Sequence, residues 1–327
     1  MKNEKGNNFL ISVIIPSYNR ANTVGETIES IIAQKVDADV EIVIGDDCST
    51  DNARDVLLKY KKQYPDIIRL IFHEHNIGLG ANWATCVKEC RGKYICNCDN
   101  DDYWHNPEKL QLQMDYMEAH PESNVLFTDH RDMYRDTGVV IERTAYISKE
   151  RPLQDVIWGD STTVMSNATV MYRSDFLKKH LNLDEWIEWK PSLQDWNAWV
   201  ILAAYTDFDI LHESTATMCL ENTSITRPES VEKLAQRYER DKHVCRYLGM
   251  LFPDKFPYDE DEWNRYAAGR LLIKAFHLND WANAKKYVKK NPIGVSKVRV
   301  ICAKNKFLFK LFCLVKKLNY ILSNKSL

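Results

Sequence analysis

The chain has 327 residues, 45% of them apolar, and a formal net charge of −2. That content can bury a full core in one large domain or two. No apolar stretch follows a basic start and no run of about 18 uncharged apolar residues occurs, so neither a signal peptide nor a membrane-spanning helix is expected, and the nine cysteines are expected to be reduced in the cytosol.

The small net charge conceals an asymmetry. From Lys285 to the end there are 12 Lys and Arg and no acidic residue, whereas the remainder holds 32 basic and 46 acidic residues. A basic end of this kind calls for an anionic partner.

In chain order, strand-like segments fall at 11–16, 40–45, 67–73, 93–98 and 125–128. Each is short, β-branched and apolar on both parities, as strands covered on both faces are. Between the first two, Val24, Ile28, Ile31 and Ile32 mark a helix, with Thr23 and Glu26 as its expected capping box. Further helices are expected at 52–64, 79–90 and 107–119. This alternation predicts a Rossmann-like α/β fold with a mostly parallel sheet and helices on both faces. Cys86, Cys90, Cys96 and Cys98 match no common zinc-ligand spacing and read as small buried hydrophobes. Downstream, a strand is expected at 167–172, a helix from near Ser192 and a strand at 208–212. Pro228 opens a helical remainder with helices at 230–251, 262–277 and 280–290. The expected division is a catalytic unit at 9–227, a helical extension at 228–290 and a basic tail at 291–327.

Ligands in such sheets bind beyond the carboxyl ends of the strands. Strand one ends in Pro16-Ser17-Tyr18-Asn19-Arg20, strand two in Asp46-Asp47-Cys48-Ser49-Thr50-Asp51, and strand four in Asp99-Asn100-Asp101-Asp102. Three carboxylates within four positions repel one another unless a cation lies among them. The cation suited to hard oxygen ligands plus substrate phosphates is Mg²⁺ or Mn²⁺. The alternative is a solvated acidic turn after an edge strand.

The segments 12–20 and 43–51, Asn76-Ile77-Gly78, Gly92-Lys93-Tyr94-Ile95 and Asp99-Asn100-Asp101-Asp102 resemble, in order, the motifs of family 2 glycosyltransferases. Gln194-Asp195-Trp196 resembles the family's later acidic motif. The likeness covers roughly residues 9 to 226. It implies a GT-A fold and an inverting, metal-dependent transfer of a hexose from a nucleotide-sugar donor, a UDP-sugar by family frequency. Pro16, Tyr18 and Asp47 then contact nucleobase and ribose, with Asn19 and Arg20 in the same donor-binding segment. Asp99 and Asp101 of the Asp-x-Asp motif hold ribose and metal with Asp102 beside them, and Asp195 is the catalytic base. Trp104 is a candidate for lining the donor pocket. Two departures stand out. Met218-Cys219-Leu220-Glu221 replaces the family's frequent Tyr-Arg-x-His, leaving Glu221 as a substitute metal ligand or a plain loop residue. Gln194 replaces the acidic neighbour of the base.

The chemistry asks for the same parts. A leaving diphosphate develops negative charge that a divalent cation stabilises, and one carboxylate on the far face takes the acceptor's proton. Trp186 and Trp189 read equally as an acceptor subsite or as core, whereas Trp199, at i, i+3 from Trp196, reads as core. His73 and His75 read as satisfied or solvated. On a helical wheel of the tail, Phe307, Leu308, Leu311, Phe312, Leu314, Val315, Leu318, Ile321 and Leu322 fall on one half and Lys306, Lys310, Lys316 and Lys317 on the other. That pattern suits an anionic membrane surface contacted through residues 285–327, and the alternative is packing on the protein's own body. The expectation is an enzyme at the cytoplasmic face of a membrane. Its acceptor would be a glycan or lipid-linked glycan of bacterial surface polysaccharide assembly. The rivals are a non-catalytic nucleotide-sugar-binding subunit and a nucleotidyl transferase. The second lacks a Gly-rich phosphate loop, and no nucleic-acid partner is expected.

Overall fold

The computed structural model describes residues 11–147, 165–189, 191, 194–220, 230–254 and 256–323. The chain divides into two compact units, Met1–Glu221 and Asn222–Leu327.

In the first unit the elements are β1 (Ile11–Ser17), α1 (Val24–Ile32), β2 (Val40–Asp46), α2 (Ala53–Gln63), β3 (Ile68–Phe72), α3 (Leu79–Glu89), β4 (Tyr94–Asn97), β5 (Tyr103–Trp104) and α4 (Lys109–Ala119). They continue with β6 (Val125–Tyr134), β7 (Val140–Arg143), a 3₁₀ turn (Asn167–Thr169), β8 (Met171–Arg173), α5 (Ser174–His180), α6 (Leu183–Trp189), α7 (Gln194–Leu202) and β9 (Asp209–Leu220).

The sheet runs β3-β2-β1-β4-β8-β6-β9-β5, with β7 paired to β6. Its first four strands are parallel, as the strand–helix alternation requires. The second half is mixed: β8 runs antiparallel to β4 and β6, while β9 runs parallel to β6. One face carries Val13, Ile15, Ile42, Ile44 and Cys96, which pack with Val24, Ile28 and Ile31 of α1, Leu57 of α2 and Leu110 and Met114 of α4. Each such fully buried aliphatic side chain contributes about 1.5–3 kcal/mol. The other face receives α3, whose Asn82 Nδ2 donates to the Gly45 carbonyl at 2.8 Å. A Cβ at Gly45 would lie 2.1 Å from Asn82 Oδ1 and 2.6 Å from Cys86 Sγ, so glycine sets how closely α3 approaches.

Three local expectations are revised. Helix α1 begins at Val24, but no capping box forms. The Thr23 hydroxyl instead donates to the Asn100 carbonyl at 2.8 Å, and Glu26 pairs with Arg135 at 2.8 Å. The strand expected at 167–172 is a 3₁₀ turn followed by the short β8. Strands β6 and β9 are also longer than expected, because their polar halves pair with each other. Thr128 and Thr215 hydroxyls meet at 2.5 Å and Arg131 Nε donates to Thr217 Oγ1 at 2.8 Å.

The second unit holds α8 (Val231–Leu251), α9 (Glu260–His277), α10 (Trp281–Val288), α11 (Lys297–Cys302) and α12 (Lys306–Ser323). Ser230, Asp259, Asp280 and Ser296 cap the first four by accepting backbone N–H bonds. Leu271, Leu272, Phe276, Ala284, Tyr287 and Phe309 share one core. The expected one-sided tail is therefore revised. Phe309, absent from the expected apolar face, is fully buried, 4.5 Å from Phe276 and 5.5 Å from Trp281 between ring centroids. Phe312 also turns inward, 5.1 Å from Phe276. Phe307, Leu308, Leu311, Leu314 and Val315 stay exposed. The side chains of Lys317, Leu318, Ile321 and Leu322 lie outside the described residues. No described helix is long and apolar enough to cross a membrane.

Candidate active site

The first two strand ends are joined by Asn19. Its φ of 51° is left-handed, a conformation asparagine tolerates. Its N–H donates to Ser49 Oγ at 2.9 Å and its Oδ1 accepts from the Thr50 N–H at 2.7 Å. The Asn19 side chain thus fastens the loop after β1 to the loop after β2. Beside it Tyr18 is exposed, while Pro16 lies buried within β1 opposite Gly45. Asp46 and Asp47 face different tasks. Asp46 Oδ2 pairs with Arg54 Nε at 2.6 Å. Asp47, also buried, accepts from the Ile77 N–H at 2.7 Å and the Gly78 N–H at 2.9 Å, and so holds the turn where Gly78 takes a φ of 92°. A carboxylate has about four lone-pair sites, so each Asp47 oxygen keeps one for another donor.

The third strand end carries Asp99. Its Oδ1 accepts from Asn167 Nδ2 at 2.9 Å and from Gln194 Nε2 at 3.4 Å. Burial, then the Asp101 and Asp195 carboxylates, push the Asp99 pKa up to about 8, against the Asn167 hydrogen bond. Asp99, Asp101 and Asp195 are thus electrostatic neighbours across more than ninety residues of chain. Asp101 Oδ2 lies 3.1 Å from Arg20 of the first strand end, and its carbonyl accepts from Arg135 at 3.0 Å. Asp195 stands in the first turn of α7, where its Oδ1 accepts from the Trp196 N–H at 2.7 Å.

Several expected positions lie elsewhere. Asp102 is turned into the protein: its Oδ1 accepts from the Cys219 N–H at 2.8 Å. Burial, then Asp101 and Asp99, hold its pKa well above the ordinary carboxylate range. Among the described residues no group of three or more His, Cys, Asp and Glu side chains is arranged to hold a metal. The expected trio of Asp99, Asp101 and Asp102 around one ion therefore does not assemble, and Glu221 lies outside the described residues. Trp104, expected to line the donor pocket, is turned into the core. It is 3% exposed in the core, its Nε1 donates to the Ala168 carbonyl at 2.8 Å, and Lys109 Nζ lies 4.6 Å from its ring centroid. Trp186 is buried against Trp83, centroids 5.8 Å apart, which favours the core reading. The Trp189 side chain is outside the described residues. Trp199 is core as expected, donating to the Tyr172 hydroxyl at 2.8 Å. Nine free cysteines include buried Cys86, Cys90, Cys96 and Cys98, and His73 pairs with Asn82.

The chemistry of Asp99 and Asp101 is compatible with a divalent ion. Carboxylate repulsion, second to burial in raising Asp99, is what a dication would offset, and Mg²⁺ or Mn²⁺ is commonly held by one or two carboxylates with substrate phosphates.

Sequence reasoning missed the groups behind Asp99. Asn167 Oδ1 accepts from Asn97 Nδ2 at 2.9 Å, and Asn97 Oδ1 accepts from Trp83 Nε1 at 3.1 Å. The only cue was polar Asn97 within an apolar strand. Buried Lys109 donates to Gln113 Oε1 and to the Thr169 carbonyl at 3.3 Å, supporting the turn that carries Asn167. Burial pushes its basicity down to about 8.

Residues 12–181, just over half of the chain, match the family described as Glycosyl transferase family 2. The chain belongs to that family. An uncharacterized protein of Mycobacterium tuberculosis is 36% identical over 126 residues, 38% of this chain and 36% of that protein. The putative teichuronic acid biosynthesis glycosyltransferase TuaG of Bacillus subtilis is 30% identical over 162 residues, half of this chain and 61% of TuaG. The chain therefore spans about a third to three-fifths of these curated relatives. Among solved structures, residues 1–349 of S. aureus TarS in complex with UDP align at a TM-score of 0.55 and 19% identity, over 91% of this chain and 88% of that one. This likeness shows the GT-A fold.

Proposed function

We propose that the protein is an inverting glycosyltransferase that moves a sugar from a nucleotide-sugar donor to a hydroxyl of a glycan or lipid-linked glycan, in surface polysaccharide assembly. The observation that carries this is the meeting of three segments: Gln194, next to Asp195 in the first turn of α7, donates to Asp99 at 3.4 Å, and Asp101 pairs with Arg20 of the first strand end at 3.1 Å. Residues 9–227 form the catalytic unit in this reading, 228–290 a helical extension and 291–327 a basic tail. TuaG, similar over half of this chain, carries a name that supports the polysaccharide class.

Tyr18 and the spare lone pairs of Asp47 are assigned to the nucleobase and ribose, beside the loop that Asn19 fastens. Asp99 and Asp101 would hold a divalent cation, which when bound supplies charge neutralisation to the leaving diphosphate. Asp195 takes the proton of the acceptor hydroxyl. The oxygen of that hydroxyl forms a bond to the anomeric carbon as the bond to the diphosphate breaks, and the electron pair leaves with the diphosphate. One displacement from the far face inverts the anomeric centre. Gln194 suits this role for Asp195, because a neutral neighbour does not raise the base as an acidic one would.

The test is nucleoside diphosphate release from a panel of UDP-, GDP- and dTDP-sugars with Mn²⁺, with and without glycan acceptors. Release from one donor, lost with EDTA and in Asp101→Ala, is the expected result. Tight nucleotide binding with no turnover under any condition would instead identify a non-catalytic binding subunit.

A further inference from the structure

Helix α12 is apolar on two opposite sides. Phe309, Phe312 and Cys313 face the core formed with α9 and α10. Phe307, Leu308, Leu311, Leu314 and Val315 fall on the other side, within a sector of about 120° at 3.6 residues per turn. All five are exposed, Phe307 at 73% and Leu314 at 55%. Because the inward face is fully occupied by ring packing, the outward stripe needs another partner. Lys306 and Lys310 border it on one flank. Next to it His277, Asn279, Lys310, Leu314 and Lys316 help line a recess of about 800 Å³, which has no acidic side chain among its described lining residues. Burial, then Lys316, Arg299 and Lys274, push the His277 basicity down, so the recess is crowded with positive charge.

We propose that α12 lies in the headgroup layer of a negatively charged lipid bilayer, its outward stripe among the acyl chains and its lysine-lined recess against lipid phosphates. Charge selects this occupant: from Lys285 onward the chain has 12 basic residues and no acid. A protein partner would not require a single sign over so long a stretch, whereas an anionic membrane attracts each cation near its surface. The lysine stems lie along the apolar boundary and lift their ammonium groups to the phosphates. The cytoplasmic leaflet, which carries anionic lipids, is the matching surface. The attachment is independent of glycosyl transfer, and its test needs neither donor nor acceptor.

The full chain would be sedimented with vesicles of phosphatidylcholine alone and with vesicles containing one-third phosphatidylglycerol, in about 0.1 M salt. Binding to the anionic vesicles at least about tenfold tighter than to the neutral ones, and weakening as salt rises, is expected. The double variant Leu311→Glu with Leu314→Glu should lose it while keeping its helical circular dichroism, since both side chains are exposed. Lys310→Gln with Lys316→Gln should weaken it about tenfold without touching the apolar stripe. Equal binding to both vesicles, no binding to either, full binding by the Glu variant, or a self-association of the free chain that the Glu variant abolishes would each overturn the proposal.

Discussion

Asn167 Nδ2 donates to Asp99 Oδ1 at 2.9 Å while Asn167 Oδ1 accepts from Asn97 Nδ2 at the same distance. Asp99 is thereby anchored through Asn97 to the indole of Trp83 in the core. Such a chain fixes where a carboxylate points without adding charge, which suits a group already burdened by Asp101 and Asp195. Replacing Asn167 by Ala should raise the Mn²⁺ concentration needed for half-maximal donor turnover by roughly 10–100-fold. It should also cost about 1–3 kcal/mol of stability, because the buried Asn97 amide loses its acceptor. Mn²⁺ titrations of turnover and urea melts of the same samples measure the two effects.

Asp195→Asn keeps the size of the side chain and removes the base. Acceptor-dependent turnover should fall by roughly 10²–10⁴-fold, with nucleotide affinity unchanged. A fall in affinity as large as the fall in turnover would place Asp195 in donor binding.

Trp104→Phe should leave nucleotide affinity unaltered, because the indole faces the core and the Ala168 carbonyl. The variant should lose about 1–3 kcal/mol from the unpaired carbonyl and the smaller ring. Calorimetric titration with UDP and a denaturant melt separate the two.

Lys109 gives a pH dependence of definite sign. Its folded-state basicity, pushed down to about 8 by burial, lies below that of an unfolded lysine. Between those values the unfolded chain holds the proton that the folded chain has released, so this group adds stability as pH rises from about 8 to about 10.4, up to about 3 kcal/mol. Lys109→Met removes that contribution. The stability of the variant relative to the parent should therefore fall over that interval, as equilibrium melts at successive pH values would show.

The parallel half of the sheet was legible because β1 to β4 are apolar on both parities and separated by periodic helices. The polar halves of β6 and β9 were not, because their pairing is to each other and leaves no hydrophobic alternation to read. At the site, the spacing of the acidic residues was visible but their directions were not. Asp102 follows Asp101 immediately, yet its side chain is taken up by the Cys219 N–H of β9, a contact 117 residues away. Trp104 was misplaced for a related reason. A tryptophan beside an acidic cluster looks like a pocket wall until Lys109 and Ala168 are seen to enclose it. Thr23 had the residue type of a helix cap, but the nearby Asn100 carbonyl claimed its hydroxyl.

The most direct test of the central claim is calorimetric titration of UDP, GDP and dTDP into the protein with Mn²⁺ and with EDTA, repeated on Asp101→Ala. If Asp99 and Asp101 present a donor diphosphate to a divalent cation, one nucleotide should bind with Mn²⁺, weaken at least about tenfold with EDTA, and weaken equally in the variant. Failure of every nucleotide to bind, or binding indifferent to both Mn²⁺ and Asp101, would contradict the account.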